Sequence, residues 1–319
     1  MTTYFGTAST GEAVDAVTLT AGDLTVKILT WGAIVQDVRL AGVPYGLTLN
    51  SDALADYEGE MRHHGSLIGP IANRISTGRV RIGGMMYELE RNQDGRIHLH
   101  SGKHATHRRL WALLEATPSK AVLSCALRDG ECGLPGNRTI TATFELTDRA
   151  TLNLTVDGIT DADTLMNFAN HSYWNLDGTD RFDGHSLQIH ADRYLPSTVD
   201  NYPTGDIVAV TDTNMDFRQA RVVSAQAPAF DNNFCLSDHT RLVTDALVLT
   251  GRSGVRMTVA TNQTGVQVYD NRPHYDGLAI EAQGWPDAPN NRDFPSILVT
   301  PDAPYRQETR FTFDRTDAN

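Results

Sequence analysis

Apolar and polar residues alternate with a period of two in many short segments of the chain. Such alternation places apolar side chains on one face of a β-strand and polar side chains on the other. The sequence therefore predicts strands in seven segments: LTVKIL at 24–29, AVLSCAL at 121–127, TITATFEL at 139–146, TLNLTV at 151–156, VRMTV at 255–259, VQVY at 266–269 and RFTF at 310–313.

Turn-forming dipeptides such as Asp94-Gly95, Pro135-Gly136 and Asp177-Gly178 separate these segments and leave little room for helices. We predict only two short helices, at 51–57 and 224–229. The fold class that follows is all-β, with one large, mostly antiparallel β-sandwich. Because no linker, low-complexity tract or repeat divides the 319 residues, we expect a single domain over 1–319.

The segment NHSYWNL at 170–176 has an unusual concentration of amide, imidazole and aromatic groups. In a strand, His171, Tyr173 and Asn175 would share one face, while Ser172, Trp174 and Leu176 would share the other. A polar and aromatic face of this kind is typical of a small-molecule site, on the outer face of a sheet or at its loop ends.

Charge narrows the possible partners. The chain has 27 Lys and Arg against 39 Asp and Glu, and its net charge of −12 disfavours nucleic acid and anionic membranes as partners. One positive cluster, His104, His107, Arg108 and Arg109, is predicted to be a solvated loop. The N-terminus resembles no leader peptide and no apolar run could span a membrane, so we expect a cytoplasmic protein.

Four further segments contain polar residues that are unusual for their surroundings. Glu281 follows the apolar run Leu278–Ile280, so partial desolvation would raise its pKa and suit it to general-base chemistry. The pair His98 and His100 is only a weak metal signal, because no third ligand follows at a fixed spacing. The four segments are ANRI at 72–75, HLHSG at 98–102, AFDNNF at 229–234 and AIEAQGWPDAPN at 279–290.

Taken in order along the chain, these segments resemble the motifs of the aldose 1-epimerases, also called galactose mutarotases. The resemblance runs from about residue 20 to the C-terminus and implies a galactose-mutarotase-like supersandwich. Five motifs carry it: GPIANRI at 69–75, LHSG at 99–102, NHSYWNL at 170–176, DNNF at 231–234 and IEAQGWPDAPN at 280–290.

The resemblance implies an isomerase that interconverts the α and β anomers of free aldoses such as galactose and glucose, in hexose metabolism. Glu281 would be the base and His171 the acid, and neither a metal nor another cofactor would be needed. The implied partner is a small-molecule sugar, and the protein would be a monomer or a homodimer. Sugar binding is implied for six residues: His100, Arg74, Asn73, Asp231, Gln267 and Tyr173.

The sequence departs from the family pattern at Pro70, at Ser101 and at Ala105-Thr106, which bears on the rim of the sugar site. Together with the positive cluster, these departures leave open a relative that acts on a phosphorylated or acidic sugar. A non-catalytic carbohydrate-binding protein on the same scaffold is a further alternative. Glycoside hydrolysis would need Asp231 and Glu281 as paired carboxylates.

Overall fold

The computed structural model describes residues 1–227 and 229–316, and β-strands dominate it. One α-helix, α1 (Leu54–Glu58), occurs in the described part of the chain, with four short 3-10 helices at Gly102–His104, Thr106–Arg108, Glu131–Gly133 and Ala288–Asn290. The strands of the first half are β1 (Thr2–Thr7), β2 (Ala13–Ala21), β3 (Leu24–Leu29), β4 (Ile34–Leu40), β5 (Leu67–Ile68), β6 (Arg74–Ile75), β7 (Arg79–Ile82), β8 (Met85–Glu88), β9 (His98–Leu99), β10 (Ala112–Ala116), β11 (Lys120–Leu127), β12 (Arg138–Thr147) and β13 (Thr151–Thr160). Those of the second half are β14 (Thr164–Leu165), β15 (Ala169–Asn170), β16 (Tyr173–Trp174), β17 (Ser186–Ile189), β18 (Arg193–Leu195), β19 (Val208–Ala209), β20 (Arg221–Val222), β21 (Asp231–Cys235), β22 (Thr244–Thr250), β23 (Val255–Thr261), β24 (Gly265–Tyr269), β25 (Leu278–Gln283), β26 (Leu298–Val299) and β27 (Tyr305–Arg315).

Two antiparallel sheets form the sandwich. The larger sheet has nine strands in the order β10-β11-β12-β13-β27-β23-β22-β17-β20, and the smaller has six in the order β16-β25-β24-β21-β18-β19. Apolar side chains from both sheets share one core, where Trp174 lies 5.3 Å from Phe311, ring centre to ring centre. The predicted all-β, mostly antiparallel sandwich is confirmed, and all seven predicted strand segments lie within strands.

The two predicted helices fared differently. The first is confirmed with a small shift, since α1 covers Leu54–Glu58 where 51–57 was predicted. The second is wrong in its described part, because residues 224–227 and 229 form turns and irregular backbone; residue 228 lies outside the described residues. There the Ser224 hydroxyl accepts a hydrogen bond from the backbone N–H of Gln226 at 3.2 Å, a local contact that favours a turn over a helix.

The segment 170–176 is not one continuous strand. β15 and β16 pair with different strands, β5 and β25, and His171 and Ser172 lie between them. The Asn170 side chain accepts a hydrogen bond from the Ser172 N–H at 3.3 Å, which competes with ladder pairing.

The division of side chains predicted for this segment holds in part. Trp174 and Leu176 enter the core, and His171 and Tyr173 face the opposite side of the six-stranded sheet. Asn175 instead donates to the backbone carbonyls of Thr179 and Asp276. Within the described residues, no helix has the length and apolar character needed to cross a membrane.

Candidate active site

A polar cavity of about 310 Å³ opens on the face of the six-stranded sheet that lies opposite the core. Four adjacent strands of that sheet contribute Tyr173, Glu281, Tyr269 and Asp231, and loops supply the other walls. A larger hollow of about 600 Å³ lies on the nine-stranded sheet, but it contains no histidine. The lining of the smaller cavity is Glu60, His63, His64, Asn73, Arg74, Leu99, His100, His171, Tyr173, Asn201, Asp231, Tyr269, Asn271 and Glu281.

Glu281 lies in the floor of this cavity and is only 2% exposed. Its strand neighbour Ile280 faces the core, so the pleat directs the carboxylate toward the cavity. Burial, and to a smaller extent the charge of Asp231, raise the pKa of Glu281 to about 8 against the opposing charge of Arg74. Its Oε1 lies 3.5 Å from the Nε2 of His171, whereas its Oε2 has no hydrogen-bond partner among the described residues.

His171 completes a buried imidazole–carboxylate pair. Its backbone is fixed by loop contacts, because its N–H donates to the Ser66 carbonyl and its carbonyl accepts from the Gly65 N–H. Burial lowers the pKa of His171 to about 3, and its Nδ1 has no partner in the described part of the protein. The Tyr173 ring lies 5.0 Å away, centre to centre, so a strand residue and a loop residue form one surface.

His100 and Asn73 fix one another through their backbones. Both adopt left-handed φ angles, 50° for His100 and 62° for Asn73. The His100 N–H donates to the Asn73 carbonyl, and the Asn73 N–H donates to the His100 ring, each at 3.0 Å. The Asn73 N–H donates to Nδ1 of His100, so the neutral ring must carry its proton on Nε2. His100 therefore presents a hydrogen-bond donor at the edge of the ring away from Asn73.

Arg74, Asp231 and Gln267 form a second polar group. The Arg74 guanidinium donates from Nη1 to Asp231 Oδ2 at 3.3 Å, and Gln267 donates from Nε2 to Asp231 Oδ1 at 2.7 Å. Burial raises the pKa of Asp231, and the charge of Arg74 opposes that rise. Gln267 lies beside Asp231 and opposite Glu281 on the next strand, but outside the residues that line the cavity.

Several residues that line the cavity were not predicted from the sequence. His64 stacks on Tyr173 at 4.2 Å, and His63 lies 5.0 Å from His100 and 5.6 Å from His171, measured between ring centres. Both histidines belong to the turns after α1, where no periodic pattern marks a face. The adjacent pair of histidines was the one sequence signal available there.

A metal ion is poorly suited to this cluster. His63, His100 and His171 each offer a nitrogen, and these atoms lie within 4.8 Å of one another. However, coordination by Nε2 of His100 would place the proton on Nδ1, where the Asn73 N–H already donates. His98 is no alternative, since it is fully buried and does not line the cavity.

The prediction of a solvated loop for the positive cluster is wrong for two of its four residues. His107 is 3% exposed, and Arg109 bonds to both carboxylate oxygens of Glu131 at 2.8 and 3.3 Å. His104 and Arg108 are exposed, as expected. None of the four lines the cavity, so this cluster gives no support to an acidic or phosphorylated sugar as ligand.

Ser101 and Thr106, two residues that depart from the family pattern, form hydrogen bonds to the backbone. Ser101 Oγ accepts from the Ile71 N–H at 2.7 Å and donates to the Ile71 carbonyl at 3.1 Å. Thr106 donates its hydroxyl to the Leu67 carbonyl at 2.7 Å. Both side chains are buried and neither lines the cavity.

Comparison with known proteins defines the class as carbohydrate epimerases with this sandwich fold. An aldose epimerase homologue from C. elegans has a TM-score of 0.88 at 26% identity, covering 96% of this chain and 100% of its own. Galactose 1-epimerase from Lactobacillus acidophilus has a TM-score of 0.85 at 25% identity, covering 99% and 98%.

Sequence comparison gives the family itself. Galactose mutarotase of Rattus norvegicus is 32% identical over 98% of this chain and 97% of its own length. The family model described as Aldose 1-epimerase matches residues 15–312. The chain belongs to the aldose 1-epimerase family.

Proposed function

We propose that this protein is an aldose 1-epimerase that interconverts the α and β anomers of free aldoses such as galactose and glucose, in hexose metabolism. The observation that carries the proposal is the buried pair of His171 and Glu281, whose Nε2 and Oε1 lie 3.5 Å apart in a polar cavity. Membership of the family and the names of the relatives support the same activity. They give no support to a non-catalytic role or to an acidic sugar as substrate.

The reaction needs a base and an acid at opposite ends of the bond that opens. Glu281 removes the proton from the C1 hydroxyl while His171 donates a proton to the ring oxygen, and the C1–O5 bond breaks. Rotation about the C1–C2 bond then presents the other face of the aldehyde. Closure returns the proton from the ring oxygen to His171 and the proton of Glu281 to O1, so no net proton is gained or lost.

Burial drives both proton transfers toward the neutral groups. Burial raises the pKa of Glu281 to about 8 and lowers that of His171 to about 3, so it favours both neutral forms. Ring opening starts from the carboxylate and the imidazolium and ends with both groups neutral. Burial therefore makes Glu281 a stronger base and His171 a stronger acid than either would be in water.

The other cavity residues hold the sugar. His100 donates from Nε2 to an oxygen near the reacting carbon, because its tautomer is fixed by Asn73. Arg74 donates to sugar hydroxyls, and Asp231 accepts from them. Tyr173, backed by His64, offers an aromatic surface for the C–H face of the sugar.

We further propose that residues 1–319 act as one domain, as a monomer or homodimer in the cytoplasm. The continuous family match over residues 15–312 supports a single domain. Light scattering on the protein as it elutes from a size-exclusion column gives the mass of the assembly directly. A stable trimer or larger assembly contradicts this part of the proposal.

Polarimetry tests the activity. Freshly dissolved α-D-galactose and α-D-glucose change rotation spontaneously, and the protein should accelerate that change in proportion to its concentration. Heat-denatured protein at equal concentration is the control. If no free aldose is accelerated, the proposal fails; faster turnover of glucose 6-phosphate or galacturonate than of either free sugar would favour an acidic substrate instead.

A further inference from the structure

A small notch of about 180 Å³ lies beside the sugar cavity and has no part in the proposed reaction. The β1–β2 loop, the end of α1 and the two 3-10 helices at 102–104 and 106–108 form its walls. It includes Arg108 from the positive cluster that the sequence singled out. Its lining is Ser9, Thr10, Trp31, Tyr57, Glu58, Arg62, Lys103 and Arg108.

Three cations converge on this notch from separate segments of the chain. Arg62, Lys103 and Arg108 are exposed, and none of them has an ion-pair partner within residues 1–227 and 229–316. Arg62 makes one long hydrogen bond, 3.4 Å, to the Gly59 carbonyl. By contrast, the neighbouring Arg109 is fully engaged by Glu131.

The acidic residue of the notch is already engaged. Glu58 Oε1 accepts from the Ser9 N–H at 2.9 Å and from the Ser9 hydroxyl at 2.6 Å. Those contacts tie its carboxylate to the β1–β2 loop. The positive side chains therefore outnumber the negative one by three to one in a chain whose net charge is −12.

Trp31 lines the notch beside these cations. The residue is only 5% exposed, and its Nε1 is too deeply buried to be reached from the notch. The indole therefore provides an apolar wall, and the three cations provide the contacts to an anion.

We propose that this notch binds a phosphate group. Its volume is below the roughly 300 Å³ of pockets that enclose a whole drug-sized ligand, so a free ion or a single phosphate group of a metabolite fits best. Two guanidinium groups match the oxygen geometry of phosphate, and the lysine adds charge.

The notch borders the sugar cavity. Arg62 precedes His63, Arg108 follows His107, and the two imidazole rings lie 5.1 Å apart, centre to centre. The bound phosphate would therefore lie next to His63 and His107, outside the space where the sugar reacts.

Titration calorimetry with inorganic phosphate, in the absence of sugar, tests the proposal on the full chain at constant ionic strength. We expect one site per chain, and at least about tenfold weaker binding in the double variant Arg62→Gln, Arg108→Gln, which loses two charge-assisted hydrogen bonds. Trp31→Phe should abolish any phosphate-dependent change in tryptophan emission, because Trp31 lines the notch. Because Arg62 and Arg108 are exposed, circular dichroism of the double variant should show an unchanged fold.

Arg292→Gln is the matched control, since Arg292 is exposed and lines neither the notch nor the sugar cavity. Glycerol phosphate separates the two sources of the ligand: tighter binding than inorganic phosphate indicates a metabolite, and equal or weaker binding indicates the free ion. Unchanged binding in the double variant, or equally tight binding of acetate, overturns the proposal. Because no sugar is present, the result does not depend on epimerase activity.

Discussion

The protein contains two buried pairs of a histidine and a carboxylate with almost the same separation. In the cavity, His171 Nε2 and Glu281 Oε1 are 3.5 Å apart. Beneath the turn at 177–178, His185 Nδ1 and Asp177 Oδ2 are 3.6 Å apart. Distance and residue type therefore do not distinguish a reactive pair from a structural pair.

The difference lies in their remaining hydrogen-bonding positions. His185 Nε2 accepts from the Leu176 N–H at 2.9 Å, and Nδ1 lies 2.7 Å from the Phe182 carbonyl. Although burial acts to raise the pKa of Asp177, backbone N–H donors such as that of Ser253 lower it overall. Other groups of the protein therefore occupy the hydrogen-bonding positions of this pair.

The cavity pair is left open by comparison. His171 Nδ1 and Glu281 Oε2 have no partner within the described residues, and burial has raised the pKa of the carboxyl. Such groups cost stability unless a ligand completes their contacts. The comparison shows that unused hydrogen-bonding capacity, more than proximity, identifies the pair suited to catalysis.

The largest expected effect is on turnover. Glu281→Gln or His171→Asn should lower kcat for galactose by about two to four orders of magnitude, because each removes one proton-transfer group. Polarimetry at saturating sugar measures the rate. Asp177→Asn is the matched control at the other pair and should keep the kcat of the parent in its folded fraction. An undiminished rate in Glu281→Gln would refute the assignment of the base.

The second effect is on stability, and here the larger loss is expected at the His185 pair. His185→Leu leaves the Leu176 N–H and the Phe182 carbonyl without partners, so the free energy of unfolding should fall by about 2 kcal/mol or more. His171→Leu removes no side-chain hydrogen bond of the described protein and should cost less. Urea denaturation measures both. If the two variants lose equal stability, the contrast drawn between the pairs is wrong.

Much of the fold was predictable from the sequence, because strands half-buried in a sandwich must alternate. β11, β12 and β13 alternate buried and partly exposed positions along their length, and the sequence shows that pattern directly. Segment 170–176 was harder, because the Asn170 side chain replaces a ladder contact and breaks the strand.

The candidate site was predictable only where motifs mark it. His63 and His64 enter the cavity from turns after a five-residue helix, and tertiary contacts alone place them there. The burial of His107 likewise depends on packing against a distant segment, whereas local charge suggested a solvated loop. Side chains delivered by irregular backbone have no periodic signal in the sequence.

The third effect separates the pairs by pH. The folded state holds the proton of Glu281 more tightly than the unfolded chain, so this group's contribution to stability is present below about pH 4.5 and is lost as pH rises through about 8. Glu281→Gln should therefore gain stability relative to the parent as pH rises. The lowered pKa of Asp177 predicts the opposite for Asp177→Asn, whose deficit at neutral pH should shrink in acid. Melting temperatures across pH measure both differences, and parallel curves for parent and variants would contradict this account.

The smallest effect concerns Gln267, which is intermediate between the two pairs because its Nε2 is used and its Oε1 has no partner in the described protein. Gln267→Leu keeps the side-chain volume but removes the 2.7 Å hydrogen bond to Asp231, which Arg74 still holds. Since a hydrogen bond to a charged group contributes about 1.5 kcal/mol at the low end, KM for galactose should rise about tenfold while kcat changes little. Gln283→Leu is the matched control, because Gln283 is buried and its side chain makes no hydrogen bond within the described residues. A fall in kcat as large as the rise in KM would mean that Gln267 also orients Glu281 on the adjacent strand, and that its role extends beyond Asp231.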